Sequence, residues 1–460
     1  LHLSLRRQRQ MCIRDRFKNE NKKNGIELFV KELKRNTELI YFDEFQVTNI
    51  VDAMILGKLF DKIFSENIKA IKLKYVVSGV LIQLILALLL LRVDLASSFF
   101  EYLSDGVMVL KAANDYGTGF VFGYLADGAP NAPFDITNPA GTFIFAFGGL
   151  TLIILMSAIS ALLWHWRIIP IIVNALSVLF KKPLNVGGPI GLGATANVFL
   201  GQVEAPLLVR PYLSSMTRHE LLILMTVGMS TIAGSVMVVY TTMLTPIYGS
   251  GLIGHFLTAS LISVPAGIMF ANMMIPSEVK TDFPEGDSST MYRSTVDALT
   301  QGTKNGLEIF LSVIAMLIVV MALVFLVNSI LGVFPDFNGS AITIERILGY
   351  IFAPLAWFMG IPWEESLMAG QLLGVKTALN EFVAYLYLSD SETYNLSEKS
   401  RLIMLYALCG FANFSSVGIL LSGMSAMVPE RRDDLISVTG KALWAALLAS
   451  CMTGFIVGII

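Results

Sequence analysis

Long apolar runs dominate this chain, and polar residues interrupt them in two places that resemble each other. Runs of about 20 apolar residues, the length a helix needs to cross a bilayer, fall near 75–91, 141–163, 221–245, 252–275, 309–333 and 437–460. Residues 96–125 carry an amphipathic pattern and predict an interfacial helix, as do residues 47–64, where Asp52, Lys58, Asp61 and Lys62 disfavour a span. Residues 168–180 are apolar but short. Residues 183–213 and 347–388 are apolar yet broken by Gly, Pro and polar groups. Residues 402–427 read as a helix interrupted at "GFANFSS" (410–416).

The two broken regions run in parallel order. The first begins "GQVEAP" (201–206), passes "YLS" (212–214) and reaches an apolar helix interrupted by "GMSTIAGS" (228–235). The second begins "LNEFVAY" (379–385), passes another "YLS" (387–389) and reaches the interruption at 410–416. Each has an amide and a glutamate at its apolar edge, Gln202 with Glu204 and Asn380 with Glu381. Paired halves with matching broken elements mark a transporter built from repeats, its site at their interface. Chance similarity between apolar stretches is the competing explanation. The alignment of ionisable residues, and not merely of leucines, argues against it.

Composition agrees with a polytopic membrane protein. The 460 residues are 55% hydrophobic and 15% charged, against about 25% charged in soluble domains, and the mean hydropathy is +0.67. A net charge of −2 gives no sign of a nucleic-acid partner. Cys12, Cys409 and Cys451 are scattered, so neither a disulfide framework nor a zinc site is suggested. His2, His165, His219 and His255 show no ligand spacing. The opening, through about Arg16, is basic and unlike the rest; it reads as foreign to the membrane portion and is no signal peptide. Lys69, Lys72 and Lys74 place the N-terminal side of the first clean span in the cytoplasm.

Charged residues at membrane depth are functional candidates by default. Glu204 and Gln202 sit where Gly201 and Pro206 suit a re-entrant turn, which is tolerated in lipid only when buried in protein or lining a wet cavity. The plainer alternative pairs Glu204 with Arg210, six residues away and off the register of a straight helix. Glu381 has only Lys376 nearby, at a poor spacing of five residues. Asn413, Ser415 and Ser416 either bridge helices or, clustered beside Gly410 and Gly418, form part of a site. Asn197 and Thr231 offer neutral oxygens beside a loosened backbone, which suits a small hard cation; capping or back-bonding is the structural alternative.

At these residues the chain resembles the concentrative nucleoside transporter family. "GQVEAP" (201–206), "NEFVAY" (380–385) and "GFANFSSVGI" (410–419) are similar to its signatures, and "PLAWFMGIPWEES" (354–366) to its second hairpin. The likeness spans about residue 65 to 460. It implies an all-α polytopic fold of two inverted repeats with re-entrant hairpins and broken transmembrane helices, working by an elevator-like movement. It implies a homotrimer in the cytoplasmic (inner) membrane that imports nucleosides on a sodium gradient, a proton gradient being the alternative, with no other cofactor.

By the same resemblance Gln202, Val203, Glu204 and Phe411 face the base, and Glu381, Asn413 and Ser416 hold the ribose. Asn197, Thr231 and the carbonyls of Leu200 and Ile232 hold sodium. The expected parts are an atypical segment (1–64), scaffold (65–182), first hairpin and broken helix (183–250), scaffold with a polar loop (251–345), and second hairpin, broken helix and final helix (346–460). The chain departs from the pattern at Val203, where the family often has Thr or Ser, and in lacking a recognisable first membrane helix before residue 65.

Two other classes compete. An intramembrane aspartyl enzyme needs two Asp in apolar helices, whereas Asp94, Asp105, Asp115, Asp127 and Asp135 fall in amphipathic or loop segments. A Ser–His enzyme needs His at membrane depth, and only His165 and His255 approach spans. A passive channel, or a carrier for another small polar solute, is the third reading.

Overall fold

A computed structural model describes residues 65–127, 144, 146–181, 183–184, 186–249, 251–277, 292–337, 339–390 and 393–460. The amphipathic stretch expected at 47–64 and the basic opening lie outside the described residues.

The described residues are helical, with no strand among them. The clean spans appear as α1 (Leu73–Arg92), α3 (Leu152–His165, entered through a π-helical turn at Ala146–Leu150), α10 (Leu252–Met274), α11 (Thr295–Leu331) and α17 (Arg432–Ile459). The sixth is the pair α8 (Arg218–Ser230) and α9 (Gly234–Tyr248). The amphipathic stretch at 96–125 is α2 (Asp94–Phe122), and the short apolar stretch is α4 (Ile168–Lys181). By length and composition six helices among the described residues can cross a membrane, or seven if a bent pair counts as one span.

Both broken regions are helix–tip–helix units. The first is α5 (Gly188–Ala196), a tip, then α6 (Glu204–Leu208) and α7 (Arg210–Leu213), leading to α8 and α9. The second opens with α12 (Ile344–Phe358), which meets α13 (Trp363–Ala378) at 119°. The turn in "PLAWFMGIPWEES" is that elbow, at 359–362. A second reversal follows at Leu379–Asn380 into α14 (Glu381–Ser389), which packs on α13. Then come α15 (Glu398–Leu408), a break, and α16 (Phe414–Met427).

Local chemistry sets these boundaries. Thr217 and Glu220 form a reciprocal capping box at the start of α8: Glu220 N donates to Thr217 Oγ1 at 3.2 Å, and Thr217 N donates to Glu220 Oε2 at 2.8 Å. Ser294, Thr343, Asn380 and Asn413 cap α11, α12, α14 and α16 in the same spirit. Each cap satisfies an orphan amide that lipid could not.

α10 and α17 form the centre, with α8 and α15 packed on α17 and α1 on α10. Burial separates core from periphery: 89% of the apolar windows of α8–α9 and of α10 is buried, but only 12% of that of α11. Helix α11 packs on α3 and presents Ile318, Phe325 and Ile330 outward, the pattern of a surface meant for lipid or another subunit. Glu66, just before α1, bonds Lys441 of α17 and lies 3.6 Å from Arg218 at the start of α8. The Lys441 ammonium beside it, against the opposing effect of burial and helped by Arg218, holds the Glu66 carboxyl below its ordinary value.

Candidate functional site

The two broken helices touch at their breaks. Helix α8 ends at Ser230 and α9 begins at Gly234; α15 ends at Leu408 and α16 begins at Phe414. Each interruption frees carbonyls and amides that a continuous helix would use internally. Phe411 N donates to the Thr231 carbonyl at 3.4 Å, joining one break to the other. Gly410 makes the approach possible. Its φ is +141°, and a Cβ there would lie 2.7 Å from the Ser230 carbonyl oxygen. Only glycine suits both conditions.

The first hairpin tip lies against the first break. Gly234 N donates to the Phe199 carbonyl at 3.1 Å. Glu204 opens α6, and its Oε2 accepts from Gly201 N at 2.9 Å, so the carboxylate caps its own turn. Among the described residues no ion pair joins Glu204 to Arg210, which is exposed; the structural-glue alternative is not what the fold builds.

Asn197 is 1% exposed. Its Nδ2 donates to the Gly193 carbonyl at 3.0 Å, while its Oδ1 is buried with no partner. Gln202 Oε1 is likewise buried without a partner. Both residues face Gly228 of α8, where an added Cβ would sit 3.4 Å from Gln202 Cβ and 3.5 Å from Asn197 Oδ1. Thr231 Oγ1 donates to the Val227 carbonyl at 2.9 Å, the back-bonding weighed above. That bond uses the hydroxyl hydrogen and leaves lone pairs. Leu200 and Ile232 are buried beside these groups in sequence. The donor set is therefore neutral oxygen, with two orphaned buried acceptors, which suits a small hard cation or a hydrogen-bond-donating ligand. Among the described residues no three His, Cys, Asp or Glu cluster as transition-metal ligands do.

The second tip is tied across both repeats. Glu381, 5% exposed, accepts from Tyr240 OH through Oε1 and from Asn413 Nδ2 through Oε2, both at 2.8 Å. Asn413 also caps α16, its Oδ1 accepting from Ser416 N at 2.7 Å. Asn413 therefore caps α16 and bridges to Glu381 at once, with opposite ends of one amide. Asn380 only caps, accepting from Val383 N at 2.9 Å. Lys376, the cation considered for Glu381, forms no ion pair with it among the described residues; its Nζ donates to the Ala407 carbonyl instead.

Asn197, Leu200, Gln202, Glu204, Thr231, Ile232, Phe411 and Asn413 thus lie on the first tip and the two touching breaks, with Glu381 of the second tip bonded to Asn413 and Ser416 in the first turn of α16. Val203 has a further neighbour: its methyls meet α16 at Gly423, where an added Cβ would lie 2.6 Å from Cγ1.

Two residues escaped the sequence reading. Tyr240 belongs to a buried aromatic group, 4.9 Å from the ring of Tyr385 and 5.8 Å from that of Phe382. A tyrosine in an apolar helix looks like core, and only the folded structure reveals its carboxylate partner. Tyr292, just before α11, is the other. Burial pushes its hydroxyl up to about 12, with the charges of Glu204 and Asp297 adding to the effect, which places it within electrostatic reach of the first tip. No spacing rule links it to Glu204.

Comparison with known proteins adds an independent line. Residues 54–125 match the profile of a family described as the N-terminus of Na+ dependent nucleoside transporters, residues 255–458 that of their C-terminus, and residues 146–247 one described as nucleoside recognition. Residues 5–72 match an AFG1-like ATPase profile, a match that takes in most of the basic opening. The nucleoside permease NupC of Helicobacter pylori is 35% identical over 402 residues, 86% of this chain and 94% of that protein. Human solute carrier family 28 member 3 is 32% identical over 421 residues, 86% of this chain and 58% of that protein. Among solved structures, CNTnw in an inward-facing substrate-bound state superposes with a TM-score of 0.80 at 32% identity, covering 89% of this chain and 96% of that one.

Proposed function

The chain belongs to the concentrative, Na+ dependent nucleoside transporter family, and from that premise we propose that it imports nucleosides by symport with sodium. It is a multi-pass membrane protein and a transporter, not an enzyme. The observation that carries the mechanism is the juxtaposition of two carboxylate-bearing tips with two touching helix breaks. Glu204 and Glu381, with the amides of Gln202 and Asn413, suit a neutral ligand rich in hydroxyl and amide donors and would repel a dicarboxylate.

In this reading Gln202 and Glu204 bind the base, Phe411 lies near it, and Glu381, Asn413 and Ser416 hold the ribose. Tyr240 and Asn413 pre-orient Glu381, so that less ordering is needed on binding. Sodium sits among Asn197 Oδ1, Thr231 Oγ1 and the carbonyls of Leu200 and Ile232. Binding there would firm the first tip against the first break before or as nucleoside enters, which couples the two ligands. The working assembly is a homotrimer in the cytoplasmic (inner) membrane, and the hairpins with their broken helices move together as the transport part. Nucleoside-driven sodium counterflow in proteoliposomes tests the whole reading. Uptake that ignores sodium but collapses with the proton gradient would reject the coupling ion.

Asn197→Ala deletes the one side-chain oxygen in this group that is buried without a partner. It is expected to raise the half-saturating sodium concentration about 5- to 30-fold, the equivalent of ~1–2 kcal/mol. An unshifted sodium curve would remove Asn197 from the ion site.

Val203 tests base preference. Valine and threonine share a shape, but only threonine can hydrogen-bond, so the exchange is not neutral at a polar site. A hydroxyl in place of one methyl should move the uridine-to-adenosine uptake ratio toward uridine. Competition curves that do not move would mean that Val203 serves its contact with Gly423 alone.

A further inference from the structure

Lys376 is the one lysine or arginine among the described residues that is fully buried. It lies in the last turn of α13, just before the second tip, and its Nζ donates to the Ala407 carbonyl at 2.8 Å. Ala407 is in the last turn of α15, immediately before the second break. Carbonyls in a helix's last turn have no partner within the helix and carry the negative end of its dipole. A bare ammonium at this depth would be very costly. The fold therefore supplies Lys376 with the kind of oxygen that otherwise coordinates a metal cation.

The first repeat has the same place. There Asn197, at the end of α5, faces Gly228 in the last turn of α8, as Lys376, near the end of α13, bonds Ala407 in the last turn of α15. The residue at that place is Asn197, the C-cap of α5, facing Gly228 with a buried, unpartnered oxygen. Both repeats share the order of hairpin arm, tip, arm, half-helix, break and half-helix. One repeat thus presents a neutral side chain with a spare acceptor. The other presents a tethered cation already bonded to a helix-end carbonyl.

We propose that the Lys376 ammonium is a built-in counterpart of the coupling ion, filling the cation position of the second repeat so that only the first repeat takes a mobile ion. The inference rests on the reading that Asn197 and Thr231 hold that ion. It explains why a positive charge is kept within the membrane core near Glu381 without pairing to it. The fixed charge braces the end of α15, and hence the break that carries Phe411 and Asn413, in every state of the cycle. The first break, held to its tip by the Gly234–Phe199 bond, gains the corresponding cation brace only when an ion is bound.

Lys376→Asn gives the second repeat the same side chain as the first and removes the stem that fills the position. Sodium dependence of nucleoside uptake, and the cation-to-nucleoside ratio from the flux reversal potential, are measured in proteoliposomes for parent, Lys376→Asn, Lys376→Arg and Asn197→Ala proteins. The expected result is a sodium curve for Lys376→Asn whose Hill slope rises by about one, reflecting one added site, with one more cation carried per nucleoside. Lys376→Arg should keep the parental slope. Parental slope and ratio in Lys376→Asn, with only a lower maximal rate, would overturn the proposal. So would a Lys376→Asn protein that stays unfolded at every sodium concentration, because a true cation position would be refilled. A shifted Asn197→Ala curve beside an unchanged Lys376→Asn curve defeats this inference alone; an unshifted Asn197→Ala curve defeats the ion site on which it rests.

Discussion

Glu381→Gln is expected to weaken nucleoside binding by about 1.5–3 kcal/mol, the range of a hydrogen bond to a charged acceptor. The change keeps shape and volume. It replaces one acceptor oxygen by a donor NH2, in a place where Tyr240 OH and Asn413 Nδ2 both donate to the carboxylate at 2.8 Å. Both contacts then survive only if the amide oxygen turns to Asn413 and its NH2 to Tyr240, whose hydroxyl must accept where it now donates, and the group that should accept ribose hydroxyl bonds loses its charge. Equilibrium binding to the purified, folded protein measures the effect. A ribonucleoside should lose more affinity than its 3′-deoxy analogue, since the analogue already lacks a hydroxyl that the carboxylate is proposed to accept. Parental affinity in a folded Glu381→Gln protein would sink the ribose assignment.

Gly410→Ala is expected to have the largest effect on stability, roughly 2–5 kcal/mol. One contribution is backbone strain, since φ +141° is almost closed to residues with a Cβ. The other is overpacking against rigid groups: the new methyl would lie 2.7 Å from the Ser230 carbonyl oxygen and 3.0 Å from Ser450 Oγ. One neighbour is backbone, and the other is a short hydroxyl held by its bond to the Ala446 carbonyl at 3.0 Å. The two breaks would be forced apart at the Phe411–Thr231 contact, so uptake per folded molecule should fall along with the melting temperature in detergent. A Gly410→Ala protein with parental melting and uptake would show that the breaks do not need to touch.

These two positions mark different degrees of legibility in the sequence. Gly410 stood out as part of an interrupted apolar helix, but nothing local indicated that Ser230, in the other repeat, was the surface it had to clear. Glu381 stood out as a lone carboxylate at membrane depth, and its dependence on a polar ligand follows from charge burial alone. Its actual partners are 141 and 32 residues away in sequence. Lys376 shows the same limit in reverse. Its nearness to Glu381 along the chain suggested a weak ion pair, while the fold sends its ammonium to Ala407.

The sequence by itself determined that the chain lives in lipid, where its spans lie, that two regions repeat, and which ionisable residues those regions carry. Apolar run length and charge depletion are local quantities set by the thickness and dielectric of the bilayer, so they can be read residue by residue. The motifs at 201–206, 380–385 and 410–419 also marked the family. Only the tertiary structure decided that the two breaks touch, that Tyr240 and Asn413 share one carboxylate, that Val203 rests on Gly423, that Asn197 faces Gly228 and that Lys376 bonds Ala407. Those are choices among distant partners. Periodicity specifies which face of a helix is apolar, whereas the partner is fixed by packing many helices at once, with every buried polar group seeking a bond that lipid cannot supply.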